Sequence, residues 1–135
     1  MNAPQPITIL FADIAGSTKL FERMGDIGAR SITSVVLAAL TEITQRHAGR
    51  VIKTIGDELM CTFPSPMAAL LAAIDMQKRV SSDTAWQREF LAVRIGLHHG
   101  EALLEDGDVY GDAVNTAARM TQMAKREQIV TTLST

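Results

Sequence analysis

The sequence predicts an α+β fold, an antiparallel sheet with helices packed on it, and three observations carry that expectation. The first is an almost unbroken apolar run, Ile7 to Ala12 (ITILFA). Its β-branched content and lack of alternation suit a strand covered on both faces. The second is the stretch Val51 to Phe63 (VIKTIGDELMCTF), where two short apolar segments flank Gly56-Asp57. Glycine tolerates backbone angles that other residues avoid, so this pair reads as a tight hairpin turn. The third is a series of segments between the strands whose apolar residues recur at helical spacing.

Taken in order, residues 1–6 are expected to be a disordered lead-in, with Pro4 and Pro6 blocking regular pairing, and one domain fills residues 7–135. The first strand ends at Asp13, and Ile14 to Thr18 form a turn in which Ser17 or Thr18 caps the next helix. A first helical piece stops near Met24-Gly25-Asp26. A longer one, Ile27 to His47, places Ile32, Val35, Val36, Ala39, Leu40 and Ile43 on one face and closes at Gly49. After the hairpin, Pro64-Ser65-Pro66 opens a helix with Met67, Leu70, Leu71, Ile74 and Val80 inward. Ser81 to Glu89 reads as a surface loop or frayed helix around Trp86. Leu91 to Leu97 is a strand that continues past a kink through Glu101 to Leu104. Glu105 to Asp108 turn the chain, and Gly111 to Lys125 form a helix with Val114, Ala117, Ala118 and Met120 inward. Gln128 to Thr132 is a last short strand. Strand–helix–strand–strand–helix–strand is the ferredoxin-like βαββαβ core, with helices on one face, here with an added strand–helix–strand.

The totals set bounds. A chain of 135 residues with 47% hydrophobic residues can bury a core without disulfides. A net charge of −2 gives no ground for a nucleic-acid or anionic-membrane partner. The single cysteine, Cys61, sits in the apolar segment LMCTF, where it reads as a small core residue in a reducing compartment. No apolar run approaches the roughly 20 residues of a membrane span, and the N-terminus lacks the pattern of a signal peptide. A cytoplasmic location is the expectation.

The chemistry concentrates in three places. Ferredoxin-like packing sets the first strand beside the hairpin, so Asp13 at the strand end and Asp57 at the turn are expected to meet. Two carboxylates forced together repel unless a cation lies between them. Behind Asp13, Gly16, Ser17 and Thr18 open a helix whose free N–H groups and dipole suit phosphate. An aspartate pair beside such a helix start is the layout for two-metal phosphoryl transfer. Third, GDVYGDAVNTAAR (Gly107 to Arg119) puts Asn115 and Arg119 four residues apart, on one helix face. Asparagine can hold a sugar oxygen, and arginine can stabilise charge on a pentavalent phosphorus. Alone, each segment reads as an ordinary turn or solvated helix face; the three together weigh for function.

Together they resemble one family, the class III nucleotidyl cyclases (adenylate and guanylate cyclase catalytic domains). The resemblance is carried by Phe11-Ala12-Asp13-Ile14-Ala15-Gly16-Ser17-Thr18, by Ile52-Lys53-Thr54-Ile55-Gly56-Asp57, by Gly107 to Arg119, and by VRIGLHHGEA at Val93 to Ala102. It implies an adenylate cyclase of bacterial type, converting ATP to 3′,5′-cyclic AMP and pyrophosphate with Mg²⁺ or Mn²⁺, two per active site. Asp13, Asp57 and the Ile14 carbonyl match the metal ligands. Asn115 and Arg119 match the residues that orient ribose and stabilise the transition state. Lys53 and Asp108 match the purine-reading pair, and a guanine-reading site would place a carboxylate where Lys53 stands. The resemblance further implies a head-to-tail homodimer, because metal and purine residues of one site come from different protomers. The family's domain continues past the strand that QIVTTLST resembles, with a final hairpin and a triphosphate-contacting lysine. The sequence reaches Thr135 without them, and neither Lys125 nor Arg126 stands at the lysine's place. A fused or separate sensor or regulator is compatible with the sequence, and none is visible in it. Two other readings compete: a nucleotide-binding or dimerising regulatory module without turnover, and a diguanylate cyclase-like enzyme. For the latter, IGDEL (Ile55 to Leu59) is only superficially like a GGDEF signature, and the Asn115/Arg119 helix has no place in it.

Overall fold

The computed structural model describes residues 3–135. Along the chain run β1 (Gln5–Ala15), α1 (Ser17–Arg46), β2 (Arg50–Ile55), β3 (Glu58–Phe63), α2 (Pro66–Ser82), α3 (Thr84–Arg88), β4 (Ala92–Glu105), β5 (Asp108–Tyr110), α4 (Asp112–Met123) and β6 (Ile129–Thr131). The strands form one sheet in the order β2-β3-β1-β4-β5, with β6 parallel to the start of β4 and every other pairing antiparallel. The first four strands follow the ferredoxin-like order, with β1 central between β3 and β4.

β1 starts at Gln5, inside the expected lead-in. Pro6 is tolerated because it lies beyond the last β3 pair, Thr8 with Phe63, and opposes only Glu101 of β4. Met1 and Asn2 lie outside the described residues. At its other end β1 runs on through Asp13 to Ala15, so Asp13 is a paired strand residue rather than the first turn residue.

Both faces of β1 are covered, as its apolar run predicts. Leu10, Ala12 and Ile14 join Leu59, Cys61 and Phe63 under α1 and α2. Ile9 and Phe11 join Met60 under Ala113 and Ala117 of α4. Period-two alternation sends neighbouring residues to opposite faces, so the two sets form two cores. The two helices of the ferredoxin-like core, α1 and α2, share one face as expected, and the added helix α4 closes the other.

Helix orientations show where periodicity misleads. On α2 the buried residues are Ala69, Ala72, Ala73, Met76 and Val80, whereas Met67, Leu70 and Leu71 are exposed. Both faces of this helix are apolar, and its small face lets it approach α1 and the sheet closely. Val35 of α1 is likewise exposed, while Thr33 and Thr44 are buried with their hydroxyls donating to the Arg30 and Leu40 carbonyls. The break expected near Gly25 is present, with φ 75° and ψ 172°. By length and composition α1 could cross a membrane. Here it lies along the sheet with Leu20, Ala29, Val36, Leu40 and Ile43 buried.

Gly49 follows α1 for a different reason than the one expected. The left-handed residue is Ala48, with φ 61°. Gly49 is needed for room: a Cβ there would lie 2.4 Å from the Phe63 ring.

β4 bends sharply, as its glycine-flanked middle suggests. Gly96 shares a row with Phe11, Met60 and Lys53, whereas Asp108 opposes Glu105, nine residues further along β4. In a straight strand those rows stand about 30 Å apart. Yet Lys53 Nζ and Asp108 Oδ2 meet at 3.0 Å, so the far end of β4 curls over and carries β5 to the hairpin.

Candidate active site

The corner between β1 and α1 is built from three elements. Asp13 stands in a row of charges across the sheet, opposite Glu58 of β3 and opposite Arg94 of β4. Cross-strand neighbours interact directly, and Arg94 makes a salt bridge with Asp13. The like charge on the other side is felt by Glu58. Its burial, and then the nearby Asp13, push the Glu58 carboxyl above the usual range, while Arg94 draws it partly back.

The hairpin turn docks on the same corner, where the Ile14 N–H donates to the Asp57 carbonyl at 3.1 Å. The backbones of Asp13 and Asp57 are thus brought together as the topology predicts. Their side chains open on different cavities. Asp13 lines one of about 510 Å³ with Ile14, Ala15, Gly16, Ser17, Thr18, Arg94 and Arg126. Asp57 lines one of about 410 Å³ between the turn and α1. The repulsion expected between the two carboxylates is met at Asp13 by a guanidinium.

Gly16, not Ser17 or Thr18, occupies the N-cap of α1, and no side chain caps this helix. Gly16 has φ 93°, and a Cβ there would sit 2.7 Å from the Phe90 carbonyl. The helix therefore starts one residue early, with Ser17 and Thr18 in its first turn and its N–H groups free of side-chain caps. Such a start suits an anion.

As to metal, no group of three or more His, Cys, Asp or Glu side chains able to hold an ion occurs among the described residues. Asp13, Asp57 and the Ile14 carbonyl offer only hard oxygen donors. That set fits Mg²⁺ or Mn²⁺ bound through one or two carboxylates and completed by phosphate oxygens and water.

The other candidate residues lie away from this corner. Lys53 and Asp108 pair with each other, and the Lys53 hydrogen bond followed by the Val109 N–H hold the Asp108 carboxyl below its ordinary range. Asn115 and Arg119 are exposed on α4, and their side chains make no hydrogen bond or ion pair within the chain, among the described residues. α4 is seated by two glycines of β4. Ala113 packs beside Gly100, and at Gly96 a Cβ would fall 2.1 Å from the Thr121 backbone nitrogen. α4 thus runs from Gly100 back toward Gly96, and its Asn115 end lies toward Gly100, six residues along β4 from Arg94.

Two arginines at the corner carried no site assignment from sequence. Arg94 was legible as the residue opposite Asp13 once the strands are paired, since both belong to quoted motifs. Arg126, in the α4–β6 turn, reaches the corner only through the fold, and no sequence signal marks it.

Residues 1–135 match the sequence profile of the family described as the adenylate and guanylate cyclase catalytic domain. The chain belongs to that family and is a class III nucleotidyl cyclase catalytic domain. Among its relatives is an adenylate cyclase of Glutamicibacter nicotianae, 31% identical over 132 residues; the match covers 96% of this chain but only 32% of that relative. The chain thus spans about a third or less of the length of the curated relatives it matches. In fold it is similar to the adenylyl cyclase CyaB of P. aeruginosa, with TM-score 0.85, 21% identity, and coverage of 98% of this chain and 79% of that one. It is equally similar to a dimeric guanylyl cyclase domain of the RhoGC fusion protein of Blastocladiella emersonii, with TM-score 0.87, 24% identity, and coverage of 98% and 83%. Adenylyl- and guanylyl-forming proteins thus share this fold.

Proposed function

We propose that this domain is an adenylate cyclase that closes ATP to 3′,5′-cyclic AMP, releasing pyrophosphate, at sites completed by a second copy of the chain. The observation that carries the reading is the contact of Lys53 with Asp108, brought from opposite edges of the sheet to 3.0 Å. A donor and an acceptor held side by side complement adenine, whose ring N1 accepts and whose exocyclic amine donates. Guanine presents the reverse pattern along that edge.

Donor chemistry and position support the remaining roles. The α1 start and Arg94 hold the polyphosphate end, because both present donors on one cavity. Asp13, Asp57 and the Ile14 carbonyl hold Mg²⁺ or Mn²⁺. When bound, such ions lower the pKa of the attacking 3′-hydroxyl and offset phosphate charge. Asn115 orients the ribose, and Arg119 stabilises charge on the phosphorus. Because Asn115 points to solvent far from its own Asp13, it serves the Asp13 of a partner. The decisive experiment compares cyclic AMP formation with Mn²⁺ by the wild type and by Asp57→Ala. Equal product from the two proteins sinks the metal assignment.

A second reading, a nucleotide-binding module without turnover, is favoured by the Arg94–Asp13 salt bridge, which fills a metal-ligand oxygen with a protein cation. Tight ATP binding with no product at high protein concentration, even with Mn²⁺, selects it.

A further inference from the structure

Two adjoining cavities share Gly16, Thr18 and Arg126, and their charges exceed what the metal and purine assignments use. The second cavity, about 690 Å³, is also lined by Lys19, Arg23, Glu89 and Phe90. Together the two hold four cations, Lys19, Arg23, Arg94 and Arg126, and two carboxylates, Asp13 and Glu89. Both carboxylates are occupied, Asp13 by Arg94 and Glu89 by Arg23. Arg126 meets only a neutral partner, its guanidinium donating to the Phe90 carbonyl at 2.7 Å. Lys19 has no partner among the described residues. In a chain of net charge −2, this is a local surplus of positive charge in a concave wall, which draws anions.

Arg126 is also held in place. The Gln128 N–H donates to the Lys125 carbonyl at 3.0 Å, and the Lys125 N–H donates to Gln128 Oε1 at 2.8 Å. Glu127, in a left-handed conformation with φ 68°, donates its N–H to the Val93 carbonyl at 3.0 Å. The Gln77 amide bridges the Val93 and Gln128 carbonyls at 3.0 and 3.1 Å. These bonds fix a four-residue turn whose second residue is Arg126. The Phe90 carbonyl takes one guanidinium N–H and leaves the rest of the planar fork open, and that fork matches phosphate oxygens two at a time.

We propose that Arg126 is a phosphate-binding residue that receives the terminal phosphates of the nucleotide and, with Lys19, the departing pyrophosphate. The inference rests on the nucleotidyl cyclase reading for its substrate, but its probe does not. Inorganic tripolyphosphate is titrated calorimetrically into the full chain, and pyrophosphate inhibition of cyclic nucleotide formation is measured alongside. Arg126→Gln removes the charge and the guanidinium fork while keeping a shorter polar amide. It is expected to weaken tripolyphosphate binding about tenfold, the loss of one charge-assisted hydrogen bond, with Tm unchanged. Arg126→Lys recovers part of the loss, and Lys19→Gln weakens binding less. The proposal is overturned if the wild type binds no tripolyphosphate, or if Arg126→Gln binds it as well as the wild type. It is equally overturned if only Arg126→Ala loses binding and its Tm falls too, since Arg126 is then structural. A chain that forms no cyclic nucleotide but whose tripolyphosphate binding follows Arg126 keeps this site and removes the cyclase reading. A chain that forms cyclic nucleotide with binding indifferent to Arg126 does the reverse.

Discussion

The β1–α1 corner and the α4 face handle their polar groups in opposite ways. At the corner the groups are already engaged: Asp13 with Arg94, Ile14 with the hairpin turn, Arg126 with Phe90. On α4, Asn115 and Arg119 stand exposed with nothing in the chain to act on. A polar group that is exposed and unpartnered costs little in water, so the fold has no reason of its own to place these two residues there. The corner is assembled by folding, whereas the α4 face is not engaged by its own chain. The hairpin links the two, because its turn supplies Asp57 to the corner while its stem supplies Lys53 to Asp108.

The hardest blow to that contrast comes from mixing inactive proteins. Asp57→Ala and Arg119→Ala are each expected to lower cyclic AMP formation by roughly three orders of magnitude. If corner and α4 face serve each other only across a two-fold interface, an equal mixture contains heterodimers with one intact site. Such a mixture recovers about a quarter of wild-type activity. A mixture as inactive as its components shows that both halves work within one chain, and the comparison fails.

The pairing of Lys53 with Asp108 gives a test of intermediate size. Lys53→Glu combined with Asp108→Cys exchanges donor for acceptor at the purine edge. The ratio of kcat/KM for ATP over GTP is expected to fall by roughly two orders of magnitude, as when a site built for one hydrogen-bond pattern meets another. An unchanged ratio removes adenine from the proposed function while leaving the corner intact.

The same contrast explains what could be read from the sequence. β1, the hairpin and the ferredoxin-like order were legible because turn chemistry and apolar runs are local. Asp13 and Asp57 were legible as neighbours because strand order follows from those elements. The faces of α2 were not, since Met67, Leu70 and Leu71 keep helical spacing as faithfully as the buried Ala69, Ala72 and Ala73. Nor was the opposite placement of α4, because its seat is an absence of side chain at Gly96 and Gly100. Arg126 was invisible for a related reason: the hydrogen bond its turn accepts from Gln77 and the one it donates to the Val93 carbonyl, some 30 to 50 positions away, decide where it sits.

That seat can be probed directly. Gly96→Ala drives a methyl into the Thr121 backbone, which cannot yield without moving α4. Overpacking of this kind costs about 1–3 kcal/mol, and the loss should appear in denaturant midpoint. Because the Lys125–Gln128 turn after α4 is tied to Val93 and Gln77, tripolyphosphate binding should fall less than cyclic AMP formation. Equal loss of both collapses the distinction between the halves.

The smallest effect belongs to the charge row inside the corner. Glu58 has its carboxyl pushed up from 4.5 by burial and by Asp13, against the pull of Arg94. The folded state thus holds this proton more tightly than the unfolded state. Its contribution to stability is complete below about 4.5 and is lost as pH rises through the folded value. Glu58→Gln has no proton to lose. The unfolding curves of wild type and variant should therefore coincide at the acid end and separate as pH rises. The variant should be the more stable at pH 7, by less than about 1 kcal/mol for a group only partly shielded from solvent. Chemical denaturation at several pH values between 4 and 8 reads this out. A variant that is less stable at pH 7 shows that Glu58 is held by a favourable charge contact. Arg94 would then be serving two carboxylates at once, and the corner would be less committed to Asp13 than its salt bridge implies.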